Sequence, residues 1–517
     1  MPSITTDHPF LRKHAALVRG VLSCFDRVIF RGHLPCSYPR GLEGFLDQQG
    51  VLLKNFKDYA PQVAERIKQH VKDQVEQAGA PFRHLPRKER MEEQARQLAQ
   101  DQGRTHGIIC GFSCMETCAT FRLQFAQGRP QLKKDFRRCL VVYVYLLHAV
   151  LGLVHVKLHT WFPLTMQVYA NGHDFLARKL DAAQLAYQRA DNAFVQLADP
   201  TAAQQLADRF AKQNWPKLLG ALARQFNPLL AQEFQGQDYY WVTDQAEYAT
   251  DVLFRDRAAL GSLYPRLVEH ATVNLGAEDI LKFLGRKLHP SFLGEVQTHR
   301  GQRVEGTRLK HSMKANRLKM YDKVGQVLRI ETTINQPKEF RVRRPRTTKA
   351  GQQELAWQPL LKGVAWLWRY AEVSRSANGR YLEALTVVDN QHQARELLDR
   401  ATRPAKLGKQ RKRALQPLSP QDQALFLAVL RGEHRLQGFR QRDVAARLYP
   451  RPSKDAAERR RRSARVTRQL QLLRAHGLVA KVPRARRYRV TAKGEALMSA
   501  AIYVRYKHLP KELSEAV

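Results

Sequence analysis

The stretch from Asp455 to Thr491 constrains the fold of this chain more than any other. From about Asp455 to His476, Val466, Leu470 and Leu473 recur at helical spacing, while Arg459, Arg460, Arg461, Arg462, Arg465 and Arg468 crowd the remaining surface. Gly477 follows where a helix commonly ends in a left-handed residue. Leu478 to Val482 then reads as a strand, Pro483 to Arg486 as a basic loop, Arg487 to Thr491 as a return strand and Ala492 to Val504 as a closing helix. Upstream, Ser419 and Pro420 supply the cap and first-turn proline of a helix over Gln421 to Leu430, and a further helix covers Gln441 to Leu448.

Helix, helix, basic helix and two-stranded wing is the order of a winged helix-turn-helix. The run Leu472-Leu473-Arg474-Ala475-His476-Gly477-Leu478-Val479, followed by Tyr488-Arg489-Val490-Thr491-Ala492-Lys493-Gly494, resembles MarR-like bacterial winged-helix regulators over roughly the last 90 residues. That resemblance implies a third helix in the major groove, bringing Arg459, Arg461, Arg462, Arg465 and Arg468 to DNA. Arg484, Arg486 and Arg487 in the wing would meet backbone or minor groove. Four consecutive arginines scatter around a helix, so only some can face one groove.

The excess of positive charge is not confined to this module. Its 517 residues carry a formal charge of +40, and 44% are hydrophobic, enough for ordinary cores rather than a disordered basic tail. A field of that sign attracts polyanions, because each neutralised phosphate releases counterions. DNA is the expected partner, with structured RNA as a further one. Cys139 to Val156, the longest apolar stretch, contains His148 and His155 and reads as buried core rather than a membrane span. Met1 to Gly20 has no apolar stretch of the signal-peptide kind, so a cytoplasmic location is expected. The six cysteines should then be reduced. Cys110, Cys114 and Cys118 fall four apart, as if on one helix face, and read as small buried residues rather than zinc ligands.

Strand character marks Phe25 to Gly32, Val154 to Trp161, Leu164 to Tyr169 and Val327 to Ile334, with Asn171-Gly172 and Asp322-Lys323-Val324-Gly325 as turns. Leu42 to Gln102 and Phe175 to Leu293 pattern mostly as helix, the latter including Asp199 and Pro200 as a helix start. Arg403 to Arg413, with no acidic residue, reads as a basic linker. The expected fold class is α+β: a mixed α/β basic core with long helical insertions plus a C-terminal winged-helix domain. The expected division is 1–137 (N-terminal α/β and helical), 138–402 (central α/β core with a helical insertion), 403–417 (linker) and 418–517 (winged helix).

The segment Arg303 to Asn335 surrounds one tyrosine with Lys310, Lys314, Lys319 and Lys323, and places Arg329 and Glu331 on the next strand. It resembles the active-site strands of rolling-circle replication initiators of the Rep-trans type. The resemblance implies Tyr321 as nucleophile toward a DNA phosphodiester and Glu331 as ligand of a metal, expected to be Mg2+. Lys310, Lys314, Lys319, Lys323 and Arg329 would bind phosphate. Asp26, on a strand-like run, is the expected second metal ligand. Relatives that nick DNA often use a His-hydrophobic-His motif. Here His155 and His159 lie about 13 Å apart along a strand, too far for easy chelation. The competing reading makes Tyr321 a hairpin tyrosine and Arg329 with Glu331 a same-face ion pair. Glu116, Glu247 and Asp251 are further candidate acids, the last two sharing a helix face if Gln245 to Phe254 is helical. Tyr239, Tyr240 and Trp241 could stack bases, though they read first as core. Lys319-Met320-Tyr321-Asp322-Lys323 and Leu328-Arg329-Ile330-Glu331-Thr332-Thr333 are also similar to strings in a family of uncharacterised bacterial proteins, which implies no activity. Three functions are therefore expected to compete: a metal-dependent endonuclease or strand transferase of mobile-element type, a non-enzymatic transcriptional regulator, and the protein part of a ribonucleoprotein.

Overall fold

The computed structural model describes residues 4, 7–86, 90–126, 129–234, 236–286, 295–303, 306–347, 353–388, 399, 401–408, 410–431, 434, 438–451, 453, 455–483 and 485–508. The chain forms two compact units, one from residues 1–268, 283–286 and 294–383, the other from 269–282, 287–293 and 384–517. The class is α+β, a large mixed sheet with helices packed on it.

The first unit is organised by one sheet of 11 strands. Its first six, in chain order, are β1 (Val18–His33), β2 (Phe82–His84), β3 (Gly107–Ala126), β4 (Arg129–His148), β5 (Gly152–His159) and β6 (Met166–Ala170). A small separate hairpin of β7 (Tyr187–Ala190) and β8 (Ala193–Leu197) intervenes. The sheet then resumes with β9 (Tyr240–Phe254), β10 (Val296–Arg303), β11 (Gly306–Met313), β12 (Asn316–Lys323) and β13 (Val327–Ile334). The order across the sheet is β10-β11-β12-β13-β9-β1-β6-β5-β4-β3-β2, antiparallel throughout except for β2 beside β3. The centre of the sheet is thus β13-β9-β1, strands that are largely buried. Such strands cannot alternate cleanly between apolar and polar, because both faces are covered. A further ribbon, β14 (Arg341–Thr347) and β15 (Gln353–Pro359), follows β13 as a separate two-stranded sheet.

Several sequence expectations change here. A boundary at 137/138 falls inside β4, which pairs with β3 from Gly107↔Leu147 to Ala126↔Arg129, so the regions 1–137 and 138–402 share one sheet. Gln245 to Phe254 is strand, and the otherwise mainly helical stretch from Phe175 to Leu293 also contains β7, β8 and β9. Cys110, Cys114 and Cys118 lie on β3; a spacing of four serves one strand face as well as one helix face. Asn171-Gly172 starts a helix instead of a turn: the Asn171 side chain accepts from the backbone N–H groups of His173 and Asp174, capping Gly172–Ala182. Asp199 and Pro200 do cap and start a helix, Pro200–Asp208. The turn after Asp322 also forms, with Val324 and Gly325 both at positive φ.

In the second unit, β16 (Ala405–Leu407) and β17 (Gln410–Lys412) form a hairpin, Leu415 is in the core, and Arg413 pairs with Asp422 at 2.5 Å. The stretch 403–417 is therefore folded onto its neighbours rather than a free linker. Among the described residues three helices follow, Pro420–Val429, Gln441–Leu448 and Ala456–Ala475, then the hairpin of β18 (Val479–Lys481) and β19 (Tyr488–Val490) and a closing helix, Ala492–Tyr503. Leu425 and Phe426 of the first helix, Val444 of the second, Val466, Leu470 and Leu473 of the third and Leu497 of the last share one core. Phe439 bridges to Tyr488, fastening the entry of the second helix to the hairpin.

Candidate metal centre and basic surfaces

Cross-strand register builds the site as three rungs on one face of the central sheet. Tyr321, Arg329 and Asp251 lie opposite one another across β12, β13 and β9. One pleat on, the rung is Lys319, Glu331 and Ala249; beyond it lie Thr333 and Glu247, with Arg27 of β1 opposite Glu247. Ala249 in the middle leaves space where a larger side chain would separate the acids. Asp26 enters through a β-bulge. Phe25 pairs with Tyr248 and Arg27 with Glu247, so Asp26 is the extra residue and is re-aimed toward the face that carries the rungs.

Asp26, Glu247 and Glu331 consequently bring carboxylate oxygens within 4.8 Å of one another, all three buried, and this cluster can hold a metal ion. Hard oxygen donors of this kind suit Mg2+, Mn2+ or Ca2+ rather than softer metals. Two cations already share the acids. Lys319 Nζ lies 2.5 Å from Glu331 Oε1 and 3.2 Å from Glu247 Oε1. Arg329 is 1% exposed and donates to both oxygens of Asp251 at 2.6 and 2.7 Å, to the Asn192 carbonyl at 2.7 Å and to Asp26 Oδ1 at 3.3 Å. His173 sits between Asp26 and Asp251, its nitrogens 3.3 and 3.6 Å from their carboxylates. Asn192 donates to Asp26 as well.

These neighbours divide the acids electrostatically. Burial would raise the Asp26 carboxyl, but Arg329 and His173 beside it hold it well below the usual range. Asp251 is lowered against burial by the same two partners. Glu331 goes the other way: burial, with Asp26 and Glu247 nearby, raises it despite Lys319. Burial is also the main opponent of charge on Lys319, but Glu331 and Glu247 raise it above its ordinary value. Tyr321 donates its hydroxyl proton to Glu331 Oε2 at 2.5 Å, and burial together with that carboxylate raises the phenol well above its ordinary value.

Of the residues expected from sequence, Tyr321, Glu331, Asp26, Lys319 and Arg329 converge here. Arg329 is a correction in its role: it is buried and committed to Asp251, so it cannot clamp a phosphate at the surface. The same-face pair of Arg329 with Glu331 does not form either, since each turns to a partner on a neighbouring strand. Lys323 pairs with Asp191 in the β7–β8 turn, Lys314 pairs with Glu339 at 2.8 Å, and Lys310 lies across from Lys319 on β11. Glu116 is on β3, four places from β1 in the sheet, paired with Lys157 at 2.7 Å. His155 stacks on Tyr169 at 4.7 Å. Tyr239 and Trp241 are core, whereas Tyr240 is 67% exposed.

On the third helix of the second unit, Arg461, Arg465 and Arg468 are exposed. Ala456, Arg459, Arg460, Ser463, Ala464, Thr467 and Arg468 line one open face of that helix. Arg459 donates to the Ser453 carbonyl at 3.2 Å. Arg462 instead stiffens the helix start, donating to Glu458 at 2.9 Å and to the Arg451 carbonyl at 2.8 Å and lying 5.0 Å from the centre of the Tyr449 ring. Arg486 is exposed and Arg487 half-buried beside the hairpin; Arg484 lies outside the described residues. Among the described residues no helix is long and apolar enough to cross a membrane. No family model, curated protein or solved structure matches the chain.

Proposed function

We propose that this chain is a metal-dependent DNA nicking or strand-transfer enzyme, directed to DNA by a C-terminal winged helix. One observation carries the reading: the Tyr321 hydroxyl is bonded to Glu331, itself one of three buried carboxylates able to share a cation. In the proposed step the phenolic oxygen attacks phosphorus in line, forming a phosphotyrosine bond as the bond to a sugar oxygen breaks. Glu331, whose Oε2 already accepts the hydrogen bond of the phenol, takes the phenol proton on that oxygen. The departing sugar oxygen takes a proton from water. A divalent cation, expected to be Mg2+, would supply positive charge for the developing phenolate and phosphoryl oxygens. Asp26, Glu247 and Glu331 would hold it, and Lys319 would orient the last two. Arg329 keeps Asp251 and the bulged Asp26 in place.

A second reading has its own support. Lys319 and Arg329 already balance the acids, as they would in a structural ion network under a non-enzymatic DNA-binding regulator. Incubating labelled single- and double-stranded DNA with the protein and Mg2+ or Mn2+ separates the two. A covalent protein–DNA adduct absent in Tyr321→Phe and in Glu247→Gln supports strand transfer. Cleavage that persists in Tyr321→Phe without an adduct replaces it by simple hydrolysis. A footprint without cleavage sinks the enzyme. RNA that copurifies through high salt, with no DNA footprint, would favour a ribonucleoprotein role instead.

A further inference from the structure

Tryptophan is costly to leave in water, and three of the six in this chain, Trp357, Trp366 and Trp368, gather in one place on the first unit. Trp161, Trp215 and Trp241 are the others, and the last two are buried core. The β14–β15 ribbon turns Val342 inward, 5% exposed, and presents Arg341, Arg343 and Trp357 on its opposite face. Trp357 is 61% exposed and stands directly across from Arg343. Arg341 donates to the Trp357 carbonyl at 3.3 Å, holding that strand position. Arg369 links the ribbon to the start of the helix Leu367–Leu385: it donates to the Arg343 carbonyl at 3.0 Å, and its guanidinium lies 4.0 Å from the centre of the Trp368 ring. Trp368, 42% exposed, packs nearly parallel to Trp366 at 6.5 Å and 24°.

Exposed indoles interleaved with arginines make a surface for an anion with flat rings. We infer that this patch is a platform for single-stranded DNA, with Trp357 and Trp368 stacking on bases and Arg341 and Arg343 facing phosphates. Duplex DNA hides its base faces, so stacking selects the unpaired strand, while the arginines select a nucleic acid over an apolar protein partner. The inference rests on the nucleic-acid part of the reading above and not on the chemistry of the carboxylates. It gives the first unit its own hold on a strand, separate from the basic helix of the second.

The test is tryptophan fluorescence of the full chain titrated with an oligothymidylate of about twelve nucleotides, a length within the range of such sites. Saturable quenching is expected, with affinity lowered about ten- to a hundred-fold in Trp357→Ala, less in Trp368→Ala, and largely restored in Trp357→Phe. Arg343→Ala should weaken binding and flatten its salt dependence. Arg465→Ala/Arg468→Ala, on the second unit, should leave this binding unchanged. Asp26→Asn should bind the strand as the wild type does even where cleavage is lost, so failure of the chemistry and failure of this site read out separately. Equal affinity of Trp357→Ala and wild type at an unchanged melting midpoint would overturn the inference. So would tighter binding of a duplex of the same length by the Arg465→Ala/Arg468→Ala variant, in which the basic helix of the second unit is weakened, or tighter binding of oligouridylate than of oligothymidylate.

Discussion

Replacing Arg329 by methionine removes the cation at the middle of the central sheet while roughly keeping its volume. Asp251, 1% exposed, loses both of its guanidinium bonds, and Asp26 loses one. Breaking a buried pair by deleting one partner costs about 3–5 kcal/mol, because the remaining charge is left in a poorly solvating interior. Spread over the roughly 360 residues of the first unit, with about 2.1 cal/mol/K of unfolding entropy per residue, that is a fall of about 4–7 °C in its melting midpoint. The loss has a pH signature. In the wild type, Asp26 and Asp251 titrate below the ordinary aspartate value of about 3.9, so they stabilise the fold above that pH and cease to do so as pH falls through their depressed values. Without Arg329, burial is opposed chiefly by His173, so both carboxyls shift upward and the cost of charging them grows as pH rises. The gap between wild type and Arg329→Met should therefore already be partly open near pH 4, where the wild-type aspartates are still ionised, and widen to its full size at neutral pH. Melting followed by circular dichroism across that range measures it. Substituting the whole pair, Arg329→Met with Asp251→Leu, should recover part of the loss. A gap under about 1 kcal/mol at neutral pH, or one that narrows as pH rises, would refute the assignment of Arg329 as the electrostatic keystone.

Divalent-cation binding, measured by calorimetry with Mn2+, should strengthen as pH rises from 5 to 8, because Glu331 is raised by burial and its acidic neighbours and must shed its proton to coordinate. Asp26→Asn or Glu247→Gln should weaken that binding more than tenfold, whereas Glu116→Gln should not change it. Arg465→Ala and Arg468→Ala should each lower duplex affinity and reduce the salt slope by about one counterion, read by fluorescence anisotropy; Arg462→Ala should mainly loosen the start of its helix, seen as a lower melting midpoint of the second unit. Gly172→Ala should lower both stability and Mn2+ affinity, since an added Cβ would lie 2.2 Å from the Phe25 carbonyl oxygen beside the bulge that aims Asp26.

Where the sequence was legible and where it was not follows from periodicity. The helix spacing and Gly477 that bound the third helix of the second unit describe an element with one wet face, and its ends fall within a residue or two of those expected. The β12–β13 hairpin was legible for a related reason: β-branched residues flank a turn that needs positive φ at Gly325. Strand β9 was not. Buried on both faces, it offers no alternation, and Glu247 and Asp251, four apart, share a face in strand and helix alike. Its run of Tyr240, Trp241, Val242 and Thr243, with Tyr248, Thr250 and Val252, was the available signal for a strand. Missing β9 hid Glu247 as the third acid of the cluster. The bulge at Asp26 left no mark in the sequence at all, being a mismatch between two strands rather than a property of either. The burial of Arg329 was hidden likewise, because a lone arginine between apolar neighbours looks the same whether its partner is solvent or Asp251.

The sheet order has a consequence for how the carboxylate cluster comes into being. Arg329 meets Asp251 across 78 residues of chain and Asp26 across 303. Loops of that length close slowly, and β1 lacks its β9 neighbour until most of the first unit has been synthesised. Until β13 docks, Asp26 and Asp251 have His173 between them but lack their arginine, and β9, which carries Glu247 and Asp251, is an unfinished edge beside β1. β13 carries Arg329 with it, so the pairing that joins β13 to β9 and the pairing that gives Asp251 and Asp26 their arginine are a single folding event.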